Sequence, residues 1–157
     1  GEAFVSGLLH DIGKLAFTRY VRQEYGKVYR LTGGASDLLC RFEQETFGFT
    51  HAELGAALAF QWNFPQTLID AILCHHPSRE RYLADAKDPQ LAAVVRLANK
   101  VARANRDTDP AEQTKQLDEP EAWQQFDPQV RCLSHEDKET LVLELIHDLN
   151  GAPLPLF

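Results

Sequence analysis

At 157 residues, with 44% hydrophobic and 25% charged side chains, the chain has the length and balance of one ordinary globular domain able to bury a core. Its net charge of -7 argues against nucleic acid as a partner, and no apolar run approaches the roughly 18 residues of a membrane span. The three cysteines, Cys40, Cys74 and Cys132, are odd in number and far apart, which excludes a CxxC knuckle and a disulfide scaffold and makes a reducing, cytoplasmic setting the expectation.

The chain begins at Gly1 and contains no Met, so it reads as an excerpt or processed product to which upstream residues would add. From there the pattern is helical nearly throughout. Phe4, Gly7, Leu8 and Asp11 fall on one face of a first helix, which would carry Asp11 toward the core. A second helix is expected over about Leu15 to Leu31, stopped by "TGGAS" at Thr32 to Ser36, and a third from Ser36 through Phe47. "THAE" at Thr50 to Glu53 is a capping box, opening a helix in which His51, Leu54, Leu58 and Trp62 line up. "NFP" ends that helix. Asn63 and Pro65 begin the next, which must stop at "CHHP" because Pro77 forbids continuation.

Asp88-Pro89 is a cap followed by proline at the first helical position. The helix it starts, to about Arg106, is expected to turn Leu91, Val95, Ala98 and Ala102 inward, with Asn99 at the edge of that face. Its row Arg96, Lys100, Arg103 reads as a solvated basic face, with contact to a phosphate-bearing ligand or acidic partner as the sharper alternative. Between Asp107 and Asp127 there are seven acidic residues and one lysine, so 107–128 reads as an acidic, Pro-containing excursion or linker. "SHED" at Ser134 to Asp137 opens a last helix ending at Asn150-Gly151. The expected fold is all-α, a bundle of about six to seven helices: a core over 1–106, the excursion over 107–128, and a closing helix within 129–157 packed on the core.

Helix ends gather the polar residues. His10 and Asp11 end the first helix, His51 starts the fourth, His75 and His76 end the fifth, and Asn99 lies mid-helix on the sixth. Imidazoles with a carboxylate suit a borderline divalent ion such as zinc, manganese or iron, which can lower the pKa of bound water to about 7 for hydrolysis of a phosphoester. Each residue alone also has a plainer reading. His147-Asp148 in "ELIHDLNG" shows what an ordinary helix C-terminus looks like, where His favours the dipole and needs no ion. His10-Asp11 and His75-His76 could be the same, and His51 a first-turn residue packing on a neighbour.

"GLLHDIGKL" at Gly7 to Leu15 resembles the HD-domain signature of metal-dependent phosphohydrolases. "FGFTHAELGAALAFQWNFPQTLIDAILCHHP" at Phe47 to Pro77, with "VVRLANKVA" at Val94 to Ala102, resembles more specifically the HD-related output domain, HDOD, of bacterial signalling proteins. The resemblance implies an HD-like helical bundle in which His10, Asp11, His51, His75 and His76 occupy metal-binding positions. Lys14 would match a lysine that faces substrate phosphate in catalytic relatives, its plainer role being a solvated lysine at a helix start. It also implies that the family domain begins upstream of Gly1, and that receiver or other sensory domains are attached.

Three departures from the catalytic pattern bear on function. Catalytic relatives usually carry another His on a helix before the HD pair, and the excerpt holds no such helix; Asn99 stands where the last Asp ligand is usual; and "HHPSRERYLADAKD" lacks both the acidic residue and the GYP motif of cyclic di-GMP phosphodiesterases. The expectation is therefore a regulatory module of signal transduction, as in the output of a two-component response regulator. It would carry a degenerate HD metal site and act through protein or ligand contacts. Its expected partners are signalling proteins and, as an open option, a second copy of the chain, with no nucleic acid and no membrane. The alternative is a metal-dependent phosphohydrolase acting on a nucleotide or other phosphoester, with His10, Asp11, His51 and His75 or His76 as ligands.

Overall fold

The computed structural model describes residues 1–77, 82–104 and 119–151. Among them the regular structure is helical, without a strand. The chain divides into two compact units, Gly1–Arg96 and Leu97–Phe157.

In the first unit run α1 (Glu2–Leu9), α2 (Ile12–Tyr20), α3 (Arg22–Thr32), α4 (Ser36–Phe47), α5 (His51–Gln61) and α6 (Gln66–Leu73), then a 3-10 turn at Leu83–Asp85 and the start of α7 (Pro89–Ala104). Local signals set several of these ends. Gly33 and Gly34 take positive φ after α3, which stops it. The Thr50 hydroxyl accepts from the Glu53 amide while the Glu53 carboxylate accepts from the Thr50 amide, completing the capping box of α5. Asn63, at φ 57°, closes α5, and the Asp88 carboxylate accepts from the Leu91 amide at 2.9 Å to open α7.

Other expectations need correction. The single helix over Leu15 to Leu31 is two, broken at Val21 (φ -132°, ψ 45°). In an unbroken helix Phe17 and Tyr25 would stand about 12 Å apart along the axis. The break folds them into a stack with ring centroids 4.8 Å apart, at the centre of a cluster with Val28 and Leu39. Phe4 and Leu8 do not face the core: they are 74% and 70% exposed, and α1 instead turns Ser6 and Leu9 inward. Asp11 reaches the interior because the chain bends there, leaving it non-helical at φ -98° as the residue before α2.

The buried stripe of α5 is also rotated from the expected one. Leu54 and Leu58 are half-buried and Trp62 is 51% exposed, whereas Ala52, Gly55, Ala56 and Ala59 are buried. Small residues let α2 and α5 approach closely. A Cβ on Gly13 would overlap the His51 carbonyl and lie 2.9 Å from the Gly55 amide nitrogen. This contact sets the first turn of α2 against the first turn of α5, and α6 packs on α5 through Leu68, Ile69 and Ile72, which cluster with Ala56 and Ala59.

On α7, Ala98 and Ala102 are exposed, while Leu91 and Val95 pack with Ala71 of α6. Arg96, expected in a solvated row, is fully buried, and Lys100 pairs with Glu119 at 2.7 Å. The solvated row therefore fails at two of its three positions.

In the second unit α8 (Pro120–Trp123), α9 (Pro128–Arg131) and α10 (His135–Gly151) follow the end of α7. Val101 and Ala104 pack with Val142 and Ile146. Ser134 and Asp137 exchange hydrogen bonds as a second capping box, at 3.1 Å from the Asp137 amide to the Ser134 hydroxyl. Of the expected acidic excursion, 107–118 lies outside the described residues. Its far end includes buried Glu119 and helix α8 with buried Ala122.

Candidate metal centre

Three chain features bring four donors to one place. The bend before α2 supplies Asp11, the first turn of α5 supplies His51, and the bend after α6 supplies His75 and His76. One ligand atom from each lies within 4.8 Å of all the others. His51 and His75 are fully buried, His76 is 7% exposed, and the Asp11 side chain is 36% exposed, so the cluster opens to solvent on the Asp11 side.

The hydrogen bonds around the cluster decide where its lone pairs point. His75 Nδ1 donates to the Ile72 carbonyl at 2.6 Å; a carbonyl only accepts, so Nε2 of the neutral ring carries a lone pair. That Nε2 lies 3.4 Å from Asp11 Oδ1, itself only an acceptor, and neither atom has a hydrogen-bond partner. His51 repeats the arrangement. Its Nδ1 donates to Glu43 Oε2 at 2.7 Å, which leaves Nε2 to face Asp11 Oδ1 at 3.4 Å and His76 Nε2 at 3.0 Å. Buried acceptors aimed at a common point call for a cation between them.

Protons supply that cation poorly. Burial pushes His75 down to about 4, against a partial rise from its contact with Asp11, so its ring is neutral at pH 7. Burial alone would raise Asp11, but the Lys14 ammonium that donates to its Oδ2 opposes this, and the carboxyl is held well below the usual range. Three imidazole nitrogens and one ionised carboxylate oxygen form a donor set that fits a divalent ion.

Around these four stand the other expected residues. His10 is at the rim: its Nδ1 lies 2.7 Å from the Gly7 carbonyl, its Nε2 3.5 Å from Asp11 Oδ2, and its ring meets the His75 ring edge-on at 4.9 Å. Lys14 is 20% exposed and donates to Asp11 Oδ2 at 2.7 Å, so it is tied to the cluster rather than free in solvent. Asn99 is half-buried on the part of α7 that belongs to the second unit. His147 and Asp148 are exposed on α10.

Sequence reasoning missed Glu43. Its carboxylate is fully buried, and Oε2 accepts from both the Nδ1 and the backbone amide of His51, the latter at 2.8 Å. Oε1 accepts from the Tyr25 hydroxyl at 3.0 Å. Burial and then the Glu43 charge raise the Tyr25 phenol above its ordinary value, which keeps the proton on the donor. The available signal was the spacing Leu39, Glu43, Phe47, which sets an acid on the apolar stripe of α4. Cys40 with Glu43 and His51 forms a second grouping of ligand types, but the Glu43 oxygens there are occupied by Tyr25 and His51.

Residues 1–78 match the HDOD domain family. An uncharacterized protein of Treponema pallidum (strain Nichols) is 31% identical over 75 residues, which are 48% of this chain and 15% of that protein. The match thus covers a small part of the relative's length. No solved structure matches the chain.

Proposed function

Because residues 1–78 form an HDOD domain, we propose that the chain is a regulatory module of signal transduction whose Asp/His cluster binds one divalent ion and which acts through protein or ligand contacts. The observation that carries the ion is the facing pair Asp11 Oδ1 and His75 Nε2, both buried, both acceptors and both without a partner. Asp11, His51, His75 and His76 would hold it. Manganese, iron and zinc suit such mixed nitrogen and oxygen donors.

The arrangement of Asp11 favours one ion over a bridged pair. Its Oδ1 points into the cluster, while Oδ2 is held by Lys14 at 2.7 Å. A second ion would have to displace that ammonium, and the four-residue group contains no second carboxylate. A bound ion of this kind supplies Lewis acidity and an acidified water. Lys14 neutralises Asp11, while His75 and His51 present fixed lone pairs from buried rings. With Lys14 engaged in this way, the site supports ion binding better than turnover.

A hydrolysis screen tests this reading. Protein loaded with manganese, iron or zinc is offered nucleotides and simple phosphoesters, beside Asp11→Ala. The expected result is no turnover that requires both the ion and Asp11. Ion-dependent hydrolysis that disappears in a folded Asp11→Ala protein would replace the regulatory reading with the phosphohydrolase one.

A further inference from the structure

Two consecutive residues supply half of the cluster, and this demands a particular backbone. Neighbouring side chains point to opposite faces of a strand and diverge around a helix. Here the rings of His75 and His76 share one side, with centroids 4.1 Å apart. They sit on the bend that follows α6, where the chain has left its helical hydrogen bonds and Pro77 brings no N–H. The carbonyls of such a bend need donors from elsewhere when they are buried.

Arg96 supplies them. Its Nε donates to the Cys74 carbonyl at 2.8 Å and its Nη2 to the His76 carbonyl at 3.3 Å, so the guanidinium spans the bend on both sides of His75. The residue is fully buried and rides on the first part of α7, beside Val95, which packs with Leu91 against Ala71 of α6. The helix is thus anchored to the same element whose end it braces. A planar guanidinium presents several N–H groups in a fixed fork and reaches two carbonyls at once, which a lysine ammonium on a flexible stem does not do with the same geometry. Burying such a charge is expensive, and apolar replacement of buried charges is often tolerated by a fold. A task beyond packing would account for this one.

We propose that Arg96 is the positioning residue of the cluster: its fork across the Cys74 and His76 carbonyls fixes the bend that turns both the His75 and His76 rings toward Asp11. The inference rests on the ion-binding reading above. Arg96 acts through the backbone that carries the two histidines, by way of the Cys74 and His76 carbonyls.

The test is a Co2+ titration of the full chain, read by visible d–d absorption, which reports both affinity and coordination geometry. Wild type, Arg96→Lys and Arg96→Met are compared, with far-UV circular dichroism for folding. Val28→Ala, in the cluster of Phe17, Tyr25, Val28 and Leu39, serves as a variant that lowers stability without touching the Cys74 to His76 bend. Arg96→Lys and Arg96→Met are expected to bind about 10–100-fold more weakly, with an altered Co2+ spectrum, as when support of a ligating histidine is lost. Val28→Ala keeps wild-type affinity and spectrum. Wild-type affinity and spectrum in either Arg96 variant would overturn the proposal. Equal weakening in Val28→Ala, or failure of both Arg96 variants to fold, would make Arg96 a general core residue and overturn it as well. Absence of Co2+ binding by wild type would be failure of the ion-binding reading itself, recognised before any variant is compared, and the proposal would fall with it.

Discussion

Gly13 and His51 touch through their backbones: no side chain at position 13 fits, because its Cβ would overlap the carbonyl oxygen of His51. The glycine two residues after Asp11 is therefore what allows the α2 and α5 turns to bring Asp11 and His51 to 3.4 Å. Gly13→Ala is expected to destabilise the protein by about 2–4 kcal/mol, through forced separation of two backbones. Gly55→Ala, whose Cβ would meet the side-chain methyls of Ile72 at 3.1 Å and Ile12 at 3.2 Å and the Gly13 amide nitrogen at 3.3 Å, should cost less, about 1–2 kcal/mol, because two of those three neighbours are methyls that can give way. Urea denaturation of the two variants checks the order, and equal losses would show that the α2–α5 approach is not the tight point.

Glu43 holds His51 in the tautomer that exposes Nε2. Glu43→Gln keeps the shape and removes the charge, so ion affinity measured by calorimetry should fall about 10–100-fold. Tyr25→Phe leaves Glu43 Oε1 without its phenol donor and should lower stability by about 1–2 kcal/mol, with a smaller effect on affinity because the His51 contacts remain. An unchanged affinity in Glu43→Gln would mean that the Ile72-held His75 and Asp11 suffice to order the site.

Acid should weaken the ion-free protein in a defined window. His75 has its ordinary value near 6.5 when unfolded and about 4 when buried, so between these values the unfolded chain binds more protons than the folded one. Stability from this group is complete above about pH 6.5 and is lost as the pH falls toward 4. Asp11, held low, loses its share at still lower pH. Urea midpoints taken in chelator from pH 7 down to pH 5 should decrease, and the decrease should be smaller in His75→Gln. A midpoint that rises on acidification would contradict the neutral, buried state of His75.

His147 and Asp148 repeat the dipeptide of His10 and Asp11 on the exposed surface of α10. Substituting His147 by Ala should change stability by no more than about 0.5 kcal/mol and leave ion content untouched. Loss of ion in this variant would place the binding group elsewhere than the Asp11 cluster.

The features legible in the sequence were those fixed by neighbouring residues. Thr50 with Glu53, Ser134 with Asp137, Asp88 before Pro89, and the Gly33-Gly34 stop act within a turn of themselves, and each appears where its residues place it. The positions of Asp11, His51, His75 and His76 at helix ends also hinted that they meet. What escaped depends on partners distant in the chain. Val21 breaks a helix so that Phe17 can stack on Tyr25, and no Gly or Pro marks the place. The inward stripe of α5 is set by the approach of Gly13 to Gly55, which favours alanines over the larger Leu54 and Leu58. Arg96 looks like one member of a solvated row until the bend it braces is in view, and Glu43 looks like a surface acid until His51 lies against it.

The most direct measurement is metal content by inductively coupled plasma mass spectrometry on untagged, folded wild type beside Asp11→Ala. One equivalent of manganese, iron or zinc in wild type and its loss in Asp11→Ala is the expected result. No ion in wild type after incubation with each metal would contradict an ion-binding cluster, and the facing acceptors of Asp11 and His75 would then have to be satisfied by a proton.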